Sequence, residues 1–245
     1  MFEVRQLSAR YADFDVLHGV DIAVGERQMV ALLGHNGAGK SALLKAIFGL
    51  LPVSGGSVTF GGVDATRARP FEKSALGIRF VPQEGNVFPK LSVQDNLKLG
   101  ALKLSGGSVR LATRLAEIYD TFPILRERRT SPARVLSGGE RQMLAMSIAL
   151  ITAPKLLLLD EPSAGLAPIA VHQLFEMIRQ INQRLGTAVL LVEQNVTEAL
   201  RLTGEVYVLE EGRMVFRGAS REKEQIVRHL WRLGQAPEAK PGGVS

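Results

Sequence analysis

Residues Gly34–Ser41, which read G-H-N-G-A-G-K-S, place three glycines just before a lysine and a serine. The apolar run Met29–Leu33 precedes this segment, and a helix-like segment, Ala42–Gly49, follows it. A glycine loop between a strand and a helix lets the backbone turn sharply, so that its N–H groups converge on phosphate oxygens. The new helix adds the positive end of its dipole at the same point. The pattern therefore predicts a phosphate-binding loop.

Two side chains at the end of this loop carry the chemistry of a nucleoside triphosphate site. Lys40 is placed to reach the β- and γ-phosphates, and Ser41 to put its hydroxyl on Mg²⁺. The alternative interpretation of the same residues is a glycine-rich turn at the surface. The residues predicted to contact the nucleotide here are Gly34, His35, Asn36, Gly37, Ala38, Gly39, Lys40 and Ser41.

A second segment, Leu156–Glu161, consists of four leucines followed by two acids. A carboxylate at the carboxyl end of a core strand, beside a phosphate loop, is placed to hold Mg²⁺ directly or through water. Asp160 is predicted to do this, and Glu161 to polarise the attacking water. Pro162 follows at once, so that no helix can begin through the acids. The alternative is that two acids merely end a strand.

A third segment, Leu136–Gln142, reads L-S-G-G-E-R-Q and precedes a long helical stretch. Ser137 can cap the helix, and the two glycines leave backbone N–H groups exposed at its positive end. These features make a second anion site. It lies more than ninety residues beyond the first in the sequence.

The rest of the chain predicts the elements that position these groups. Residues 1–30 alternate in short segments broken at Gly19 and Gly25, which favours an antiparallel sheet. Ser57–Phe60, followed by two glycines, predicts a hairpin. The further predicted helices are Leu97–Leu104, Val109–Phe122, Gly139–Ile151 and Val171–Leu185, and the further predicted strands are Lys155–Asp160, Thr187–Val192, Val206–Leu209 and Met214–Phe216.

Strands that are apolar on both faces, alternating with helices, predict an α/β fold with a mostly parallel sheet covered by helices. We expect residues 1–235 to form one domain, with a helical subdomain at about 84–154 inserted between core strands. Residues 236–245 are rich in glycine and proline, which is typical of a flexible tail.

The bulk composition narrows the class of protein. The chain has 245 residues, 46% hydrophobic and 22% charged, which is ordinary for a globular protein. No apolar run approaches the roughly eighteen residues that a membrane span needs, and we expect no secretory signal. The lack of cysteine excludes disulfides and thiolate chemistry and favours the cytosol. A net charge of +6 suits a nucleotide, a nucleic acid or an anionic membrane, but it equally suits a solvated basic face.

In order and spacing, the three segments resemble the Walker A, signature and Walker B motifs of ATP-binding-cassette (ABC) ATPases, and the resemblance covers nearly the whole chain. It implies the P-loop NTPase fold, with an N-terminal antiparallel β-subdomain and an inserted α-helical subdomain. It also implies that two such domains sandwich two ATP molecules head to tail. The signature residues Ser137, Gly138, Gly139 and Glu140 would then contact the nucleotide held by the opposite subunit.

Two further positions match the family one by one. Tyr11 stands where the family stacks an aromatic ring on adenine, although a lone tyrosine after a strand is otherwise a half-buried packing residue. Gln83 matches the glutamine that approaches Mg²⁺ and the attacking water, and it marks the start of the helical subdomain. By itself it would be an ordinary loop glutamine.

The sequence departs from the family pattern at two positions. Gln194 occupies the place of a histidine that touches the γ-phosphate; it can donate a hydrogen bond but carries no positive charge. Ala167 replaces an aspartate that bonds across the dimer. These departures leave open a regulatory subunit that binds ATP and scarcely hydrolyses it. The predicted catalytic residues remain Lys40, Gln83, Glu161 and Gln194, and the predicted metal-binding residues Ser41, Gln83 and Asp160.

The two departures occur together in ATPase subunits of branched-chain amino acid importers, which this chain resembles at Val81–Pro89, Glu161–Pro168 and Val192–Asn195. That resemblance implies a cytoplasmic ATPase on the inner face of the membrane, with ATP and Mg²⁺ as cofactors. Its partners would be a second cassette, as homo- or heterodimer, membrane permease subunits and a periplasmic or extracellular solute-binding protein, with no nucleic acid. Importers of urea or amides, and a soluble ABC ATPase of assembly or repair, are the alternatives.

Overall fold

The computed structural model describes residues 2–84, 87–102 and 107–232, which form two β-sheets with helices packed on and between them. The tail predicted at 236–245 and the end of the helix predicted at Leu97–Leu104 lie outside the described residues. The strands are β1 (Phe2–Tyr11), β2 (Phe14–Val24), β3 (Met29–Leu33), β4 (Val53–Phe60), β5 (Val63–Asp64), β6 (Ile78–Val81), β7 (Leu156–Asp160), β8 (Ala188–Val192), β9 (Glu205–Glu210) and β10 (Arg213–Ala219). The helices are α1 (Lys40–Phe48), α2 (Pro70–Leu76), α3 (Val93–Gly100), α4 (Gly107–Thr121), α5 (Pro123–Glu127), α6 (Gly138–Leu150), α7 (Pro168–Leu185), α8 (Val196–Leu202) and α9 (Lys223–Arg232).

The larger sheet has the strand order β10-β9-β3-β8-β7-β6, and only β10 runs antiparallel to its neighbour. Every residue of β7 and β8 is buried, because helices cover both faces of a parallel sheet. Since the strands are parallel, their carboxyl ends meet at one edge. The loops after β3, β7 and β8 therefore lie side by side, and the prediction of a mostly parallel core sheet is confirmed.

The smaller sheet is antiparallel, with the order β2-β1-β4-β5, as the sequence predicted. The predicted break at Gly19 is wrong, because Gly19 lies inside β2. The register passes from Leu7 opposite Val20 to Ala9 opposite Leu17, so that β2 carries one extra residue there. Gly19 takes up this bulge with a φ of 68°.

Helix α1 lies between the two sheets and anchors the phosphate loop. Its residues Leu43, Leu44 and Ile47 are fully buried in a core that includes residues of both sheets. Burial of such a side chain contributes about 1.5–3 kcal/mol. The helix ends at Gly49, whose φ of 86° is left-handed.

The inserted helical segment consists of α3 to α6, which lie between β6 and β7 in the chain. Helix α3 begins at Val93 rather than at the predicted Leu97, because the Ser92 hydroxyl caps it by accepting from the N–H of Asp95 at 3.0 Å. Four helices, α2, α5, α8 and α9, were not predicted from the sequence. The first three have seven residues or fewer, too few for a helical period to show. Within the described ranges, no helix combines the length and apolar character that crossing a bilayer requires.

Candidate nucleotide-binding and catalytic site

The loop between β3 and α1 needs glycine at two positions. A Cβ on Gly34 would lie only 2.3 Å from the carbonyl oxygen of Leu209 in the neighbouring strand. Gly39 is the N-cap of α1 with a φ of 100°, and no side chain caps the helix there. The sequence therefore turns the chain from strand to helix without placing any side chain over the first turn of α1.

The first turn of α1 presents backbone donors that the protein leaves for a ligand. Among the described residues, no protein acceptor is found for the N–H groups of Gly37, Gly39, Lys40 and Ser41. The first N–H groups of a helix have no acceptor within the helix, so a row of open donors at its positive end indicates an anion site.

These donors border a cavity of about 460 Å³ at the edge where the parallel strands end. Its lining comes from the loop and α1, from β2, from Glu161 and from the β9–β10 turn. The lining residues are Asp15, Val16, His18, Asn36, Gly37, Gly39, Lys40, Ser41, Ala42, Glu161, Glu211 and Gly212.

Strand β2 and the β9–β10 turn also contribute to the site, which the sequence did not predict. Gly212 donates its N–H to the Ala38 carbonyl and accepts from the His18 N–H, both at 2.9 Å. A Cβ on Gly212 would lie 2.3 Å from the carbonyl oxygen of Val16. The turn thus fastens β2 to the phosphate loop. The only signal was a glycine between two short strands.

Lys40 is buried, and three oxygens hold its ammonium group. Its Nζ donates to the carbonyls of Gly34 at 2.9 Å and His35 at 3.0 Å, and lies 3.2 Å from Oε1 of Glu161. These contacts hold the ammonium group at the floor of the cavity. The His35 ring points elsewhere, with its Nε2 2.6 Å from the Leu230 carbonyl of α9.

Ser41 and Asp160 meet although 119 positions separate them in the sequence. The Ser41 hydroxyl donates to Oδ1 of Asp160 at 2.8 Å. Burial raises the pKa of the Asp160 carboxyl; the Ser41 hydrogen bond lowers it, and the nearby Glu161 raises it further. The pair offers a hydroxyl and a carboxylate to one cation, as the sequence predicted for Mg²⁺.

Glu161 links the loops after all three central strands. Its Oε1 faces Lys40, and its Oε2 accepts from Nε2 of Gln194 at 2.5 Å. Its φ of 44° is left-handed, and its N–H donates to the Val192 carbonyl at 2.9 Å. A non-glycine residue in this conformation is held by its surroundings, and such positions cluster at functional sites.

The Ser137 segment does not line this cavity. Ser137 caps α6 by accepting from the Glu140 N–H at 3.2 Å, and the Glu140 carboxylate accepts from the Ser137 N–H at 2.7 Å. Cβ atoms on Gly138 and Gly139 would each lie 3.2 Å from a neighbouring side chain in the segment after β7. Within the described chain, the two predicted anion sites are therefore separate.

Tyr11 and Gln83 are predicted site residues that are neither in the cavity lining nor in the cluster around Lys40 and Glu161 in the described structure. Tyr11 ends β1 opposite Phe14, and both rings are exposed. Gln83 follows β6 and is exposed. Within the described residues, neither side chain hydrogen-bonds to the phosphate loop, Lys40, Asp160 or Glu161, so that their predicted roles stay predictions.

A glycine loop with open amides, a buried lysine, a serine–aspartate pair and an adjacent glutamate together define a P-loop nucleotide-binding protein. A family model described as "ABC transporter" matches residues 17–164. The chain therefore belongs to the ABC transporter family, as an ATP-binding subunit that hydrolyses ATP.

Curated relatives are similar in sequence to this chain over most of its length. A protein of Archaeoglobus fulgidus named as a probable branched-chain amino acid transport ATP-binding protein, LivF, is 40% identical over 91% of this chain and 93% of its own length. The high-affinity branched-chain amino acid transport ATP-binding protein BraG of Pseudomonas aeruginosa is 40% identical over 88% and 91%. The lipopolysaccharide export system ATP-binding protein LptB of Escherichia coli is 31% identical over 89% and 90%.

Solved structures share the fold. The ADP conformation of MJ1267, an ATP-binding cassette of an ABC transporter, has a TM-score of 0.87 at 24% identity, over 96% of this chain and 98% of that one. The dimeric structure of the bacterial ABC transporter cassette MJ0796 has a TM-score of 0.80 at 22% identity, over 90% and 99%. The prediction of the ABC ATPase fold is confirmed.

Proposed function

We propose that this chain hydrolyses ATP in a composite site completed by a second cassette, and that it powers the import of branched-chain amino acids through membrane subunits. The observation that carries the proposal is the cluster of Lys40, Glu161 and Gln194 over a phosphate loop with open amides. The cluster holds the groups that hydrolysis of a triphosphate needs, and the Ser137 segment is absent from it.

The phosphate loop binds the triphosphate through charge and backbone donors. The open N–H groups of Gly37, Gly39, Lys40 and Ser41 donate hydrogen bonds to phosphate oxygens, and the α1 dipole adds to the attraction. The Lys40 ammonium group now contacts two carbonyls and Glu161. When the nucleotide binds, Lys40 donates to the β- and γ-phosphates instead. Release of Lys40 also frees one oxygen of Glu161 from its ion pair.

Ser41 and Asp160 fit a magnesium site. Hard cations prefer oxygen ligands, and these two oxygens already lie 2.8 Å apart. Among the described residues, no group of three or more His, Cys, Asp or Glu side chains could hold a metal, so phosphate oxygens and water would complete the shell. When bound, Mg²⁺ neutralises charge that develops on the phosphate oxygens. Gln83 is proposed to approach the same cation.

Glu161 orients the attacking water in this proposal. Its carboxylate is buried at the rim of the cavity, and the left-handed backbone directs it there. Gln194 donates to the second oxygen of Glu161 and can donate to the γ-phosphate instead, as a neutral group. Lys40 stabilises the charge that develops on the transferred phosphoryl group.

The Ser137 segment is proposed to close the cavity of a second cassette. Its glycine N–H groups and helix dipole form a donor set that its own chain does not use for the cavity. The likeness in fold to a cassette with a dimeric structure supports the arrangement. Tyr11 is proposed to stack on adenine; the exposure of its ring is compatible with this.

An apolar groove of about 410 Å³ supports docking of membrane subunits. It lies where α2 and β6 meet the helical segment, and Phe71 and Leu102 at its rim are exposed. Exposed apolar grooves mark interaction sites. This groove joins the helical segment to the nucleotide-binding core, so motion of one against the other reaches a docked partner. We place the chain on the cytoplasmic face of the membrane.

The solute assignment rests on relatives. LivF and BraG carry branched-chain amino acid transport in their names, whereas a Cupriavidus necator protein, 35% identical over 86% of this chain, is named an aliphatic sulfonates import ATP-binding protein. A solute-binding protein in the same system would deliver the substrate. Importers of urea or amides remain the second candidates for the solute.

Two measurements test the proposal. The Glu161→Gln change should lower ATP hydrolysis by at least about a hundredfold and trap an ATP-bound closed dimer, because the base is lost and the volume kept. Hydrolysis at the parental rate would refute the role of Glu161. Uptake of labelled leucine and of urea by cells with and without the chain then decides the solute. Unchanged leucine uptake in cells that lack the chain would refute the solute assignment.

A further inference from the structure

Glu193 is the most buried carboxylate at the catalytic edge, and it lies outside the cavity described above. It directly follows β8 and is 1% exposed. Among the described residues it has no ion pair with a lysine, arginine or histidine. Burying a carboxylate without a cation costs free energy unless hydrogen bonds satisfy its oxygens. The hydrogen-bond donors around Glu193 therefore show what this residue does in the fold.

Four donors from two loops satisfy this carboxylate. Oε1 accepts from the Ser163 N–H at 3.0 Å, in the loop after β7. Oε2 accepts from the Ser163 hydroxyl at 2.9 Å, and from the N–H groups of Gln194 at 3.1 Å and Asn195 at 3.3 Å, in the loop after β8. The side chain therefore ties the two loops together at one point.

The two loops carry the groups that the reaction uses. Ser163 lies two positions after Glu161, and Gln194 directly follows Glu193 and donates to Glu161 at 2.5 Å. The Glu193 N–H also donates to the Leu32 carbonyl at 3.3 Å, next to the phosphate loop. Glu193 thus lies at the junction of all three loops of the site without touching the cavity.

We propose that Glu193 is a positioning residue: its carboxylate holds the loops after β7 and β8 in register, and so keeps the Gln194 amide on Glu161. The proposal rests on the proposed role of Glu161 in orienting the water. The loop after β7 runs on to the residues that face the start of α6, so the same carboxylate fixes the segment that meets the second cassette.

Glutamine is a sharp probe of this arrangement because it keeps the volume but has a single acceptor oxygen. If its Nε2 takes the place of Oε1, it faces the Ser163 N–H; if it takes the place of Oε2, it faces two N–H donors. Either way one loop loses its backbone link while the packing is retained. Glu198→Gln is the matched control, since that glutamate pairs with Arg201 at the surface of α8 and joins no loops.

The test uses the full chain in the complex purified from its native membrane. We expect Glu193→Gln to lower kcat for ATP about tenfold with KM changed less than about twofold, because positioning acts on the transition state. Glu198→Gln should leave both unchanged. The rate of the Glu161→Gln complex supplies the background from any second site. If Glu161→Gln itself leaves the rate unchanged, the proposed role of Glu161 fails, and the positioning role that rests on it fails with it.

Two further readouts separate positioning from a general loss of structure. In a Gln194→Ala background, Glu193→Gln should lower kcat by less than about twofold, because its effect passes through Gln194. Amide exchange in residues 162–166 and 193–197 should accelerate, while α6 stays protected. Losses that multiply in the double variant, acceleration spread over the whole chain, or an unchanged kcat would each overturn the proposal.

Discussion

Two helices of this chain have glycine at their N-terminal ends, as the N-cap of α1 and as the first residues of α6, and their first turns are built in opposite ways. Helix α1 has Gly39 as its N-cap, no side-chain cap and open N–H groups facing a cavity. Helix α6 has a reciprocal capping box between Ser137 and Glu140. The N–H groups at the start of α1 have no acceptor until an anion binds. The second end is already stable and can offer its glycine donors to a site outside its own chain.

The residues around the first turns of α1 and α6 differ in the same way. Lys40, Asp160 and Glu161 bring charge to the end of α1, in a cavity of about 460 Å³. The glycines of α6 pack instead against Leu166 and Ala170. In the proposed function, phosphate binding depends on one chain alone, whereas hydrolysis depends on how two chains meet. The predictions that follow separate these two dependencies.

The largest effect is expected at the open end. Lys40→Ala should lower ATP hydrolysis by at least about a thousandfold and abolish nucleotide binding, because the cavity loses its only buried cation in the described chain. Lys98→Ala, which removes a surface lysine paired with Asp95, is the control and should behave as the parent. Isothermal titration with ATP and a steady-state assay measure both. Unchanged affinity and rate would refute the phosphate-loop assignment.

The opposite end of α1 is held by a second buried lysine. Lys73 is fully buried and donates to the Ile47 carbonyl at 2.6 Å, and burial lowers its pKa from 10.5 to about 8. Between these pH values the folded chain binds fewer protons than the unfolded chain. The free energy of unfolding should therefore rise with pH across this window, by on the order of 2–3 kcal/mol.

The Lys73→Met variant lacks this titration, so its stability should not share the rise. Urea unfolding of both proteins at pH 7.5 to 10.5 measures the difference in slope, because the other titrating groups are common to both. Parallel slopes would mean that Lys73 titrates normally, and that the far end of α1 is more open to water than its burial indicates.

A smaller effect is expected at the capped end. Ser137→Ala should lower hydrolysis by the assembled complex about tenfold, while ATP affinity of the isolated chain changes less than about twofold. The cap lost from α6 costs about 1 kcal/mol of stability. Ser92→Ala removes an equivalent cap from α3 and is the matched control, with the same loss of stability and full activity. Equal losses of activity in the two variants would mean that Ser137 acts only through stability.

The smallest effect concerns a third helix start. Ala167 is the N-cap of α7 and offers no side-chain acceptor, with Pro168 directly after it. Ala167→Asp should stabilise the chain by about 1 kcal/mol, because an acidic cap accepts from an open N–H and its negative charge interacts favourably with the positive end of the helix dipole. Ala167→Asn, a cap without charge, should give somewhat less. Thermal unfolding measures both. A lower melting temperature in both variants would show that this segment cannot seat a longer side chain.

Local patterns were enough for much of the fold and for part of the site. The glycine loop, the strand that ends at Asp160 and the helix after Ser137 each carry a signal within a few residues, and all three are present as predicted. Helices of seven residues or fewer, such as α2 and α8, were missed because they are too short to show a helical period. Gly19 was misjudged because a bulge depends on the partner strand, which local sequence does not specify.

The sequence by itself determined the chemical groups and predicted their roles: a phosphate loop, a serine and an aspartate for a cation, a glutamate for water, and a second helix start for an anion. Only the tertiary structure decided which of these groups lie next to one another. Parallel strands bring the ends of β3, β7 and β8 to one edge, so Ser41 meets Asp160, Lys40 meets Glu161, and Gln194 completes the row. Pairings between residues 33 to 121 positions apart depend on strand order, which a linear pattern does not contain, and this is why Glu193 became visible only in the fold.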